Sequence, residues 1–387
     1  MNNFVYHNAT KIIFGRDTHK DVGKEVSKHA KKVLLHYGSL SIKANGVYDE
    51  VVTSLKSSGV DFIELSGVKP NPRLSLVYEG IEICKTNDID FILAVGGGSV
   101  IDSAKAIALG SCHDCDVWDF FVNGKEAQNA LPIGVVLTIP AAGSETSNGT
   151  VITNEDGWMK RPYGHQELGP KFAIMNPQIC FTLPVYQVIC GASDIMAHIM
   201  ERYFTNTVNT DLTDRLCEAT MKTVMNNVKK VLKNREDYNA WAEVMWAGTI
   251  AHNNLLGTGR EEDWASHMIE HELSAMYDIA HGAGLSIVFP AWMKYVHKTN
   301  VKRFVQFAAR VFDLDIANGN HEDIAMEGIE KLVSFYKEIG LPTKLSHAGI
   351  DDKDFEEMAS KASKFGNLGN FKKLGHQDIV EIFILAL

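Results

Sequence analysis

The sequence lacks the features that mark membrane, secreted and nucleic-acid-binding proteins. No apolar run approaches the roughly 18 to 20 residues that cross a bilayer, and the opening MNNFVYHNATKIIFG has neither the basic start nor the apolar core of a signal peptide. Six cysteines in 387 residues are too few for a disulfide framework. The formal net charge of −10 argues against nucleic acid and anionic lipid as partners. We therefore expect a soluble, cytoplasmic protein that does not bind membranes.

One pair of cysteines, Cys112 and Cys115, has the spacing of a metal or redox motif. A single CxxC without a second pair supplies at most half of a structural zinc site. We interpret these two side chains as reduced thiols in a loop.

The first half of the chain alternates short apolar runs with amphipathic stretches. Apolar runs of this length predict buried strands, and the stretches between them have helical periodicity. The alternation predicts a parallel sheet covered by helices on both faces. The predicted strands are residues 32–38, 61–66, 90–95, 131–140, 149–154 and 171–177, and the predicted helices are 42–59 and 73–87.

The second half has a different pattern. From about residue 186 onward, long segments such as 211–234 and 300–312 show helical periodicity, and strand patterns nearly vanish. A chain of 387 residues is long enough for two domains with cores of their own. The sequence therefore predicts an α/β domain over residues 1–184, followed by an all-α domain over residues 185–387.

The segment AVGGGSVIDSAK (94–105) places Gly96, Gly97 and Gly98 between a predicted strand and a predicted helix. Glycine lets backbone N–H groups approach a phosphate closely, and a helix N-terminus carries partial positive charge. The turn therefore suits the pyrophosphate of a dinucleotide, although the GxGxxG fingerprint is absent. Ser99 and Asp102 have the spacing of a capping box, so a tight, well-capped turn without a ligand is the alternative.

A second segment, LTIPAAGSETSNGT (137–150), is rich in small residues and hydroxyl groups. Such residues suit the lining of a dinucleotide site. A polar surface loop has the same composition, so this segment alone decides nothing.

Two segments of the second half contain candidate metal ligands. In GASDIMAHIMERYF (191–204), Asp194 and His198 are four residues apart and share one face of a helix. The segment DWASHMIEHELSAMYDIAHGAG (263–284) contains His267, His271 and His281. Imidazole and carboxylate groups are common ligands of Zn²⁺ and Fe²⁺. These residues predict a metal site with positions open to a substrate oxygen.

The spacing within the second segment leaves the choice of histidines open. His267 and His271 share a helix face, so they suit one ion. His267 and His281 would lie about 21 Å apart on a continuous helix, so they reach one ion only if the chain turns between them. We expect that break within residues 277–284, at the Tyr-Asp pair or at the two glycines of HGAG. The HExxH motif of zinc proteases is absent, because position 275 is alanine.

These motifs together resemble the iron-containing (group III) alcohol dehydrogenase family, and in particular its butanol dehydrogenase branch. The resemblance covers essentially the whole chain: KIIFG near the start, PNP at 70–72, GGGSVIDSAK, GSET at 143–146, DIMAH, and the segment ending in HGAG. The combination of GGGSxxDxxK, DxxxH and HxxxHx9H is highly specific. The family fold is a Rossmann-like, dinucleotide-binding α/β domain followed by an all-α metal-binding domain, which agrees with the domains predicted above.

The resemblance implies roles for individual residues. The family's four metal ligands fall on Asp194, His198, His267 and His281, and its non-ligand histidine near the nicotinamide falls on His271. Contacts to the coenzyme fall on Asn71, Gly96, Gly97, Gly98, Ser99, Asp102, Thr138, Ser147, Lys160 and Ile179. Many members have threonine where this chain has Ala142, so we assign no contact to that position.

The implied reaction is reversible hydride transfer between NAD(P)H and a small aliphatic aldehyde, with the metal as Lewis acid and His271 as a proton relay. At the end of the strand predicted over residues 32–38, where NAD-preferring members have a carboxylate, this chain has Gly38, Ser39 and Ser41, with Lys43 nearby. These residues permit a 2′-phosphate, so we expect them to contact the coenzyme and NADP to be preferred over NAD. The family also implies Fe²⁺ in preference to Zn²⁺, and a homodimer.

Two other functions compete with this one. A metal-dependent lyase related to dehydroquinate synthase would share the architecture and the nicotinamide coenzyme. Its multiply charged sugar phosphate demands clustered basic residues, whereas the metal segments offer only Arg202, Arg260 and scattered lysines. A non-catalytic nucleotide-binding or scaffolding protein would not need intact metal ligands, yet all four are present.

Overall fold

The computed structural model describes residues 1–317 and 319–387, which form two compact units. The α/β unit consists of His7–Pro184 and Asn234–Thr249, and the helical unit consists of Met1–Tyr6, Val185–Lys233 and Ile250–Leu387. Residues 1–6 and 234–249 therefore lie in the unit opposite to the one that a single boundary at residue 184 assigns to them.

The α/β unit contains the strands β1 (Lys11–Phe14), β2 (Lys32–Tyr37), β3 (Asp61–Leu65), β4 (Ile92–Gly96), β5 (Ile133–Leu137), β6 (Gly149–Asn154), β7 (Met159–Gly164) and β8 (Phe172–Met175). Six of them form one sheet in the order β1-β8-β5-β4-β2-β3, and every neighbouring pair is parallel. β6 and β7 pair antiparallel in a sheet of their own. All residues of β4 and β5 are buried, as central strands covered on both faces require. The predicted α/β fold class is confirmed.

The helices of this unit are α1 (Val22–Val26), α2 (Ser41–Ala44), α3 (Val47–Ser57), α4 (Leu74–Thr86), α5 (Gly98–Ser111) and α6 (Trp118–Val122), together with most of α9 (Tyr238–His252). The prediction of a single helix over residues 42–59 is wrong. Gly46 lies between α2 and α3 with φ of 84°, a left-handed conformation that glycine adopts at little steric cost and that ends a helix.

The helical unit contains α7 (Val185–Tyr203), α8 (Asp211–Lys233), α10 (Ala265–Tyr277), α11 (His281–Val296), α12 (Val301–Phe312), α13 (His321–Glu338), α14 (Phe355–Ala362) and α15 (His376–Ala386). The second half is therefore helical as predicted. None of the described helices is both long enough and apolar enough to cross a membrane.

The predicted break between His267 and His281 occurs at residues 278–280, where Asp278 has φ of 51°. The two glycines of HGAG do not cause it, because both lie inside α11. A Cβ on Gly282 would lie 1.9 Å from the backbone oxygen of Cys190 on α7. These glycines therefore let α11 pack closely against its neighbours, while the left-handed residue turns the chain.

Candidate metal centre and coenzyme-binding residues

Three of the four predicted metal ligands meet in the helical unit. Asp194 lies on α7, His267 lies on α10, and His281 is the first residue of α11. Each offers a ligand atom, and these atoms all lie within 4.8 Å of one another. His281 Nε2 is 3.8 Å from Asp194 Oδ1. The break between α10 and α11 is what brings the two histidines to one point.

The His267 ring is oriented by a buried carboxylate, Glu201. Its Nδ1 lies 2.7 Å from Glu201 Oε1, which also accepts the backbone N–H of His267 at 3.0 Å. Glu201 Oε2 accepts the backbone N–H of Trp264 at 2.7 Å. Burial raises the pKa of Glu201, and these N–H donors oppose that rise. Since the carboxylate accepts from Nδ1–H, the lone pair of the ring is on Nε2.

The other nitrogen of His267, Nε2, is buried and has no hydrogen-bond partner among the described residues. Burial, reinforced by repulsion from neighbouring histidines, lowers the pKa of His267 well below its ordinary value, so the imidazole is neutral at pH 7. A neutral imidazole with a buried, unpaired nitrogen beside a carboxylate fits a metal ligand.

His281 has the same kind of support from Glu270. Its Nδ1 is hydrogen-bonded to Glu270 Oε2, and Glu270 is fully buried. This contact directs Nε2 of His281 toward Asp194. A carboxylate behind each metal-binding histidine fixes the tautomer and the ring orientation. Nitrogen and carboxylate donors of this kind suit both Fe²⁺ and Zn²⁺, so these residues fit the predicted metal.

His198 lies beside the three converging donors rather than among them. Its Nδ1 is 2.9 Å from the backbone oxygen of Asp194 and 3.0 Å from Asp194 Oδ1. Its ring centroid is 4.6 Å from that of His267. In this rotamer one nitrogen of His198 faces its own helix, so only Nε2 remains for a metal.

His271 is buried, and its ring centroid lies 5.6 Å from that of His281. With Glu270 and His281 it forms a second group of potential ligand atoms within 4.8 Å of one another. Because Glu270 holds Nδ1 of His281, we interpret this second group as support for the first rather than as a separate site.

Sequence reasoning missed three residues that shape this region: Glu201, Glu270 and His252, whose ring centroid is 4.3 Å from that of His198. Helical spacing could have indicated the two carboxylates. Glu201 is seven residues after Asp194 and shares its helix face, and Glu270 is three residues after His267. His252 ends α9 and has no comparable signal in the sequence.

The predicted phosphate-binding turn lies where β4 ends and α5 begins. Gly97 is the N-cap of α5, so the predicted capping box of Ser99 and Asp102 is wrong, because both residues lie inside the helix. A Cβ on Gly96 would lie 2.4 Å from Val100 Cγ2. The turn therefore needs glycine for packing as well as for any close approach of a phosphate.

Asp102 bonds to the segment that follows β5. Its Oδ1 accepts from the hydroxyl of Ser144 at 2.5 Å, and its Oδ2 accepts from the backbone N–H of Val151 at 2.9 Å. Burial raises its pKa, although Lys105 and these donors act in the opposite direction.

Other predicted coenzyme contacts lie at the carboxyl ends of adjacent strands. Gly38 follows β2, Gly96 ends β4, and Thr138 follows β5. The chain order reverses between β2 and β4, and ligands of open parallel sheets bind at such a point. The remaining predicted contacts differ in burial: Ser39 and Ser41 are exposed, Ser99 is part-buried, and Asn71, Ser147, Lys160 and Ile179 are buried. Lys160 Nζ donates to Asn71 Oδ1 at 2.9 Å.

The last residue of β2 contacts a carboxylate that the sequence did not reveal. Glu64 on β3 accepts hydrogen bonds from the hydroxyls of Tyr37 at 2.6 Å and Tyr48 at 2.7 Å, and Lys43 Nζ lies 4.0 Å from it. The Lys43 ammonium also lies over both tyrosine rings. Burial alone would raise the pKa of Glu64, but the two phenols together with Lys43 and Lys56 hold the pKa below its usual value.

Cys112 and Cys115 are free thiols. Neither belongs to a group of converging metal donors in residues 1–317 and 319–387.

Comparison with known proteins decides the family. The model of the iron-containing alcohol dehydrogenases matches residues 9–177, and the model of that family's C-terminal region matches residues 188–387. The chain belongs to the iron-containing alcohol dehydrogenase family. The predicted resemblance is confirmed, and the chain is an oxidoreductase of this family.

Relatives of this iron-containing alcohol dehydrogenase match it over 95% or more of its length. It is 45% identical over 390 residues to the probable NADH-dependent butanol dehydrogenase 2 of Bacillus subtilis, with 100% of each chain covered. It is 43% identical to the crystal structure of the NADH-dependent butanol dehydrogenase A of Thermotoga maritima, with a TM-score of 0.96 and coverage of 100% and 99%. It is 36% identical over 369 residues to the NADPH-dependent aldehyde reductase YqhD of Escherichia coli, with coverage of 95% and 94%.

Proposed function

We propose that this chain is a metal-dependent, NAD(P)H-linked alcohol dehydrogenase or aldehyde reductase for small aliphatic substrates such as butanol and butyraldehyde. The observation that carries the proposal is the convergence of Asp194, His267 and His281 on one point, with a buried carboxylate behind each histidine. The names of the relatives, two butanol dehydrogenases and one aldehyde reductase, support the substrate class.

The metal ligands in this proposal are Asp194, His198, His267 and His281. Fe²⁺ is the metal that the family implies, and when bound it supplies a Lewis acid that polarises the substrate oxygen. The carboxylate of Asp194 and the imidazole nitrogens provide the hard and borderline donors that such an ion prefers.

Binding of the coenzyme is the task of the α/β unit. We assign the pyrophosphate to the backbone N–H groups of Gly97 and Gly98 at the N-terminus of α5. Anchoring the phosphates there positions the nicotinamide ring, which is the chain's contribution to hydride transfer.

His271 is assigned the relay of the alcohol proton to solvent, because an imidazole exchanges protons near neutral pH. A His271→Ala variant with wild-type turnover and a wild-type pH profile contradicts this role.

For the coenzyme, we propose that NADH is preferred, a departure from the NADPH expected from the sequence. The carboxylate of Glu64 accepts from the hydroxyl of Tyr37, the last residue before the loop that follows β2, and Lys43 is already engaged by Glu64 and two tyrosine rings. A 2′-phosphate there would meet a negative charge and an occupied lysine. The NADH dependence named for the Bacillus subtilis and Thermotoga maritima relatives supports the same preference.

The test is to follow NADH and NADPH absorbance with butyraldehyde, before and after treatment with a chelator and after restoring Fe²⁺. We expect oxidation that the chelator abolishes and Fe²⁺ restores, with a higher kcat/KM for NADH. A lyase related to dehydroquinate synthase returns its coenzyme unchanged, so it gives no net oxidation of NADH or NADPH. A scaffolding protein gives none either. The homodimer and the cytoplasmic location stay predictions.

A further inference from the structure

Lys105 is a fully buried lysine whose ammonium group contacts a single loop. Residues 144–148 and the first three residues of β6, 149–151, are together named the clasped loop here. Nζ of Lys105 donates to the backbone oxygens of Ser144 at 2.7 Å, Ser147 at 2.9 Å and Gly149 at 2.8 Å. It also contacts the hydroxyls of Ser144 at 3.0 Å and Ser147 at 3.2 Å. Its side chain is 0% exposed.

Asp102 contacts the two ends of the same loop from the same face of α5. Its carboxylate accepts from the Ser144 hydroxyl and from the Val151 backbone, and its backbone oxygen accepts from the Thr150 hydroxyl at 2.8 Å. Positions three residues apart on a helix lie on one face, which is why Asp102 and Lys105 reach the loop together. Asp102 thus bonds the first and last residues of the clasped loop to α5, and Lys105 bonds its first residue and two residues in its middle.

The contacts of Lys105 require a charged ammonium group. Burial lowers its pKa to about 8, which leaves the ammonium form dominant at pH 7. All five contacts are to carbonyl or hydroxyl oxygens, so three N–H groups serve five acceptors. A nucleophilic role is excluded, because the ammonium is completely buried and its hydrogens are engaged.

We propose that Lys105 is a positioning residue for the coenzyme, which fixes the clasped loop against α5 so that both parts of the coenzyme site keep one geometry. The proposal rests on the proposed function, in which the N-terminus of α5 binds pyrophosphate and Ser147 contacts the coenzyme. Lys105 touches neither reacting atom. It acts through Ser144, Ser147 and Gly149, and burying its charge is offset by the hydrogen bonds that hold the loop.

The experiment compares Lys105→Met with Lys85→Met in the metal-loaded enzyme. Methionine keeps an unbranched stem of similar volume and removes every N–H donor. Lys85 is the matched control, since it is half-exposed, lies on α4 and donates to one carbonyl, that of His113. Four quantities are measured for each: the NADH dissociation constant by fluorescence titration, the KM, the kcat and the bound metal content.

For Lys105→Met we expect the NADH dissociation constant and the coenzyme KM to rise at least about tenfold, because a displaced loop misplaces the groups that bind coenzyme. The kcat at saturating coenzyme changes less than about threefold and the metal content stays at the wild-type level, because the displaced loop contributes no metal ligand and saturating coenzyme compensates for the weaker binding. Lys85→Met retains wild-type values. A merely structural role would lower the fraction of active enzyme without changing the dissociation constant of the folded part.

Ser144→Ala covers the case in which Lys105→Met does not fold. It removes an acceptor of Lys105 and the donor to Asp102 Oδ1 while leaving the buried ammonium in place. We expect about a threefold rise in the NADH dissociation constant, as for loss of one net hydrogen bond. Wild-type NADH affinity in a folded Lys105→Met variant, or in Ser144→Ala, overturns the proposal. If the wild-type enzyme itself binds no NAD(P)H, the proposed function fails instead.

Discussion

Replacing Glu201 with glutamine tests whether a buried carboxylate prepares His267 to bind metal. Glu201 accepts three N–H groups: the backbone and ring N–H of His267, and the backbone N–H of Trp264. Glutamine has the same shape, but one of its two terminal atoms is a donor. At least one N–H group then faces another N–H group, and the His267 ring loses the partner that holds its Nε2 toward Asp194.

Loss of such a supporting carboxylate costs about 10- to 100-fold in metal affinity. At about 1.4 kcal/mol per factor of ten, this is about 1.4 to 2.8 kcal/mol of binding free energy. The dissociation constant is measured by competition with a chelator under anaerobic conditions. The same loss appears as a smaller rise in unfolding temperature when Fe²⁺ is added.

The matched control is Glu218→Gln. Glu218 is also a buried carboxylate of the helical unit that accepts hydrogen bonds, from Tyr203 and Arg310, but it contacts none of the proposed ligands. The Glu218→Gln variant should bind metal with wild-type affinity. Unchanged metal affinity in folded Glu201→Gln would refute the orientation of His267 by Glu201. If, in addition, the metal-free variant unfolds more easily than the metal-free wild type, Glu201 contributes to folding and not to metal binding.

Three further changes test other parts of the structure. In Gly282→Ala, the Cβ would lie 1.9 Å from the backbone oxygen of Cys190. We expect the free energy of unfolding in urea to fall by about 2 to 3 kcal/mol. An unaltered midpoint of urea unfolding contradicts the close packing of α11 on α7. In Glu64→Gln, removal of the negative charge should raise the ratio of kcat/KM for NADPH over NADH about tenfold, since one repulsive contact of about 1.4 kcal/mol is lost. An unchanged ratio would show that Glu64 does not influence the choice of coenzyme. Burial lowers the pKa of His36 from 6.5 to about 4. As the pH decreases, the His36 imidazole therefore takes up a proton in the unfolded chain before it does so in the folded one. The free energy of unfolding falls by up to about 3 kcal/mol between pH 6.5 and pH 4 for this reason. His36→Gln should flatten that part of the urea-unfolding pH profile, and an identical slope would rule out His36 as its source.

The central strands could be predicted because buried parallel strands are continuous apolar runs. β2, β4 and β5 all lie within or overlap the predicted strands. β1 and β7 could not be predicted, for physical reasons. β1 is a four-residue strand at the edge of the sheet with exposed ends, and β7 contains a proline and two adjacent basic residues that are buried, so neither has a clear hydrophobic period.

The metal ligands could be predicted only as candidates from spacing, and the resemblance chose among them. Spacing on one helix pairs His267 with His271, whereas the structure brings His267 to His281 through a three-residue break. Asp278 causes that break by adopting a left-handed conformation, which its sequence neighbours do not encode clearly. Glu64 was missed for a different reason: it lies on β3, and only the pairing of β2 with β3 brings it within reach of Tyr37 at the end of β2.

The charges around the donors explain why a cation belongs there. Asp194, Glu201 and Glu270 are all buried, and the imidazole of His267 is neutral. Burying carboxylates is costly unless hydrogen bonds and opposite charge compensate them. The hydrogen bonds to His267 and His281 supply part of that compensation, and a divalent cation at the converging Nε2 and Oδ1 atoms supplies charge of the required sign. Metal binding should therefore stabilise the folded chain as well as serve the reaction, and it should do so even for variants of the α/β unit that no longer bind coenzyme.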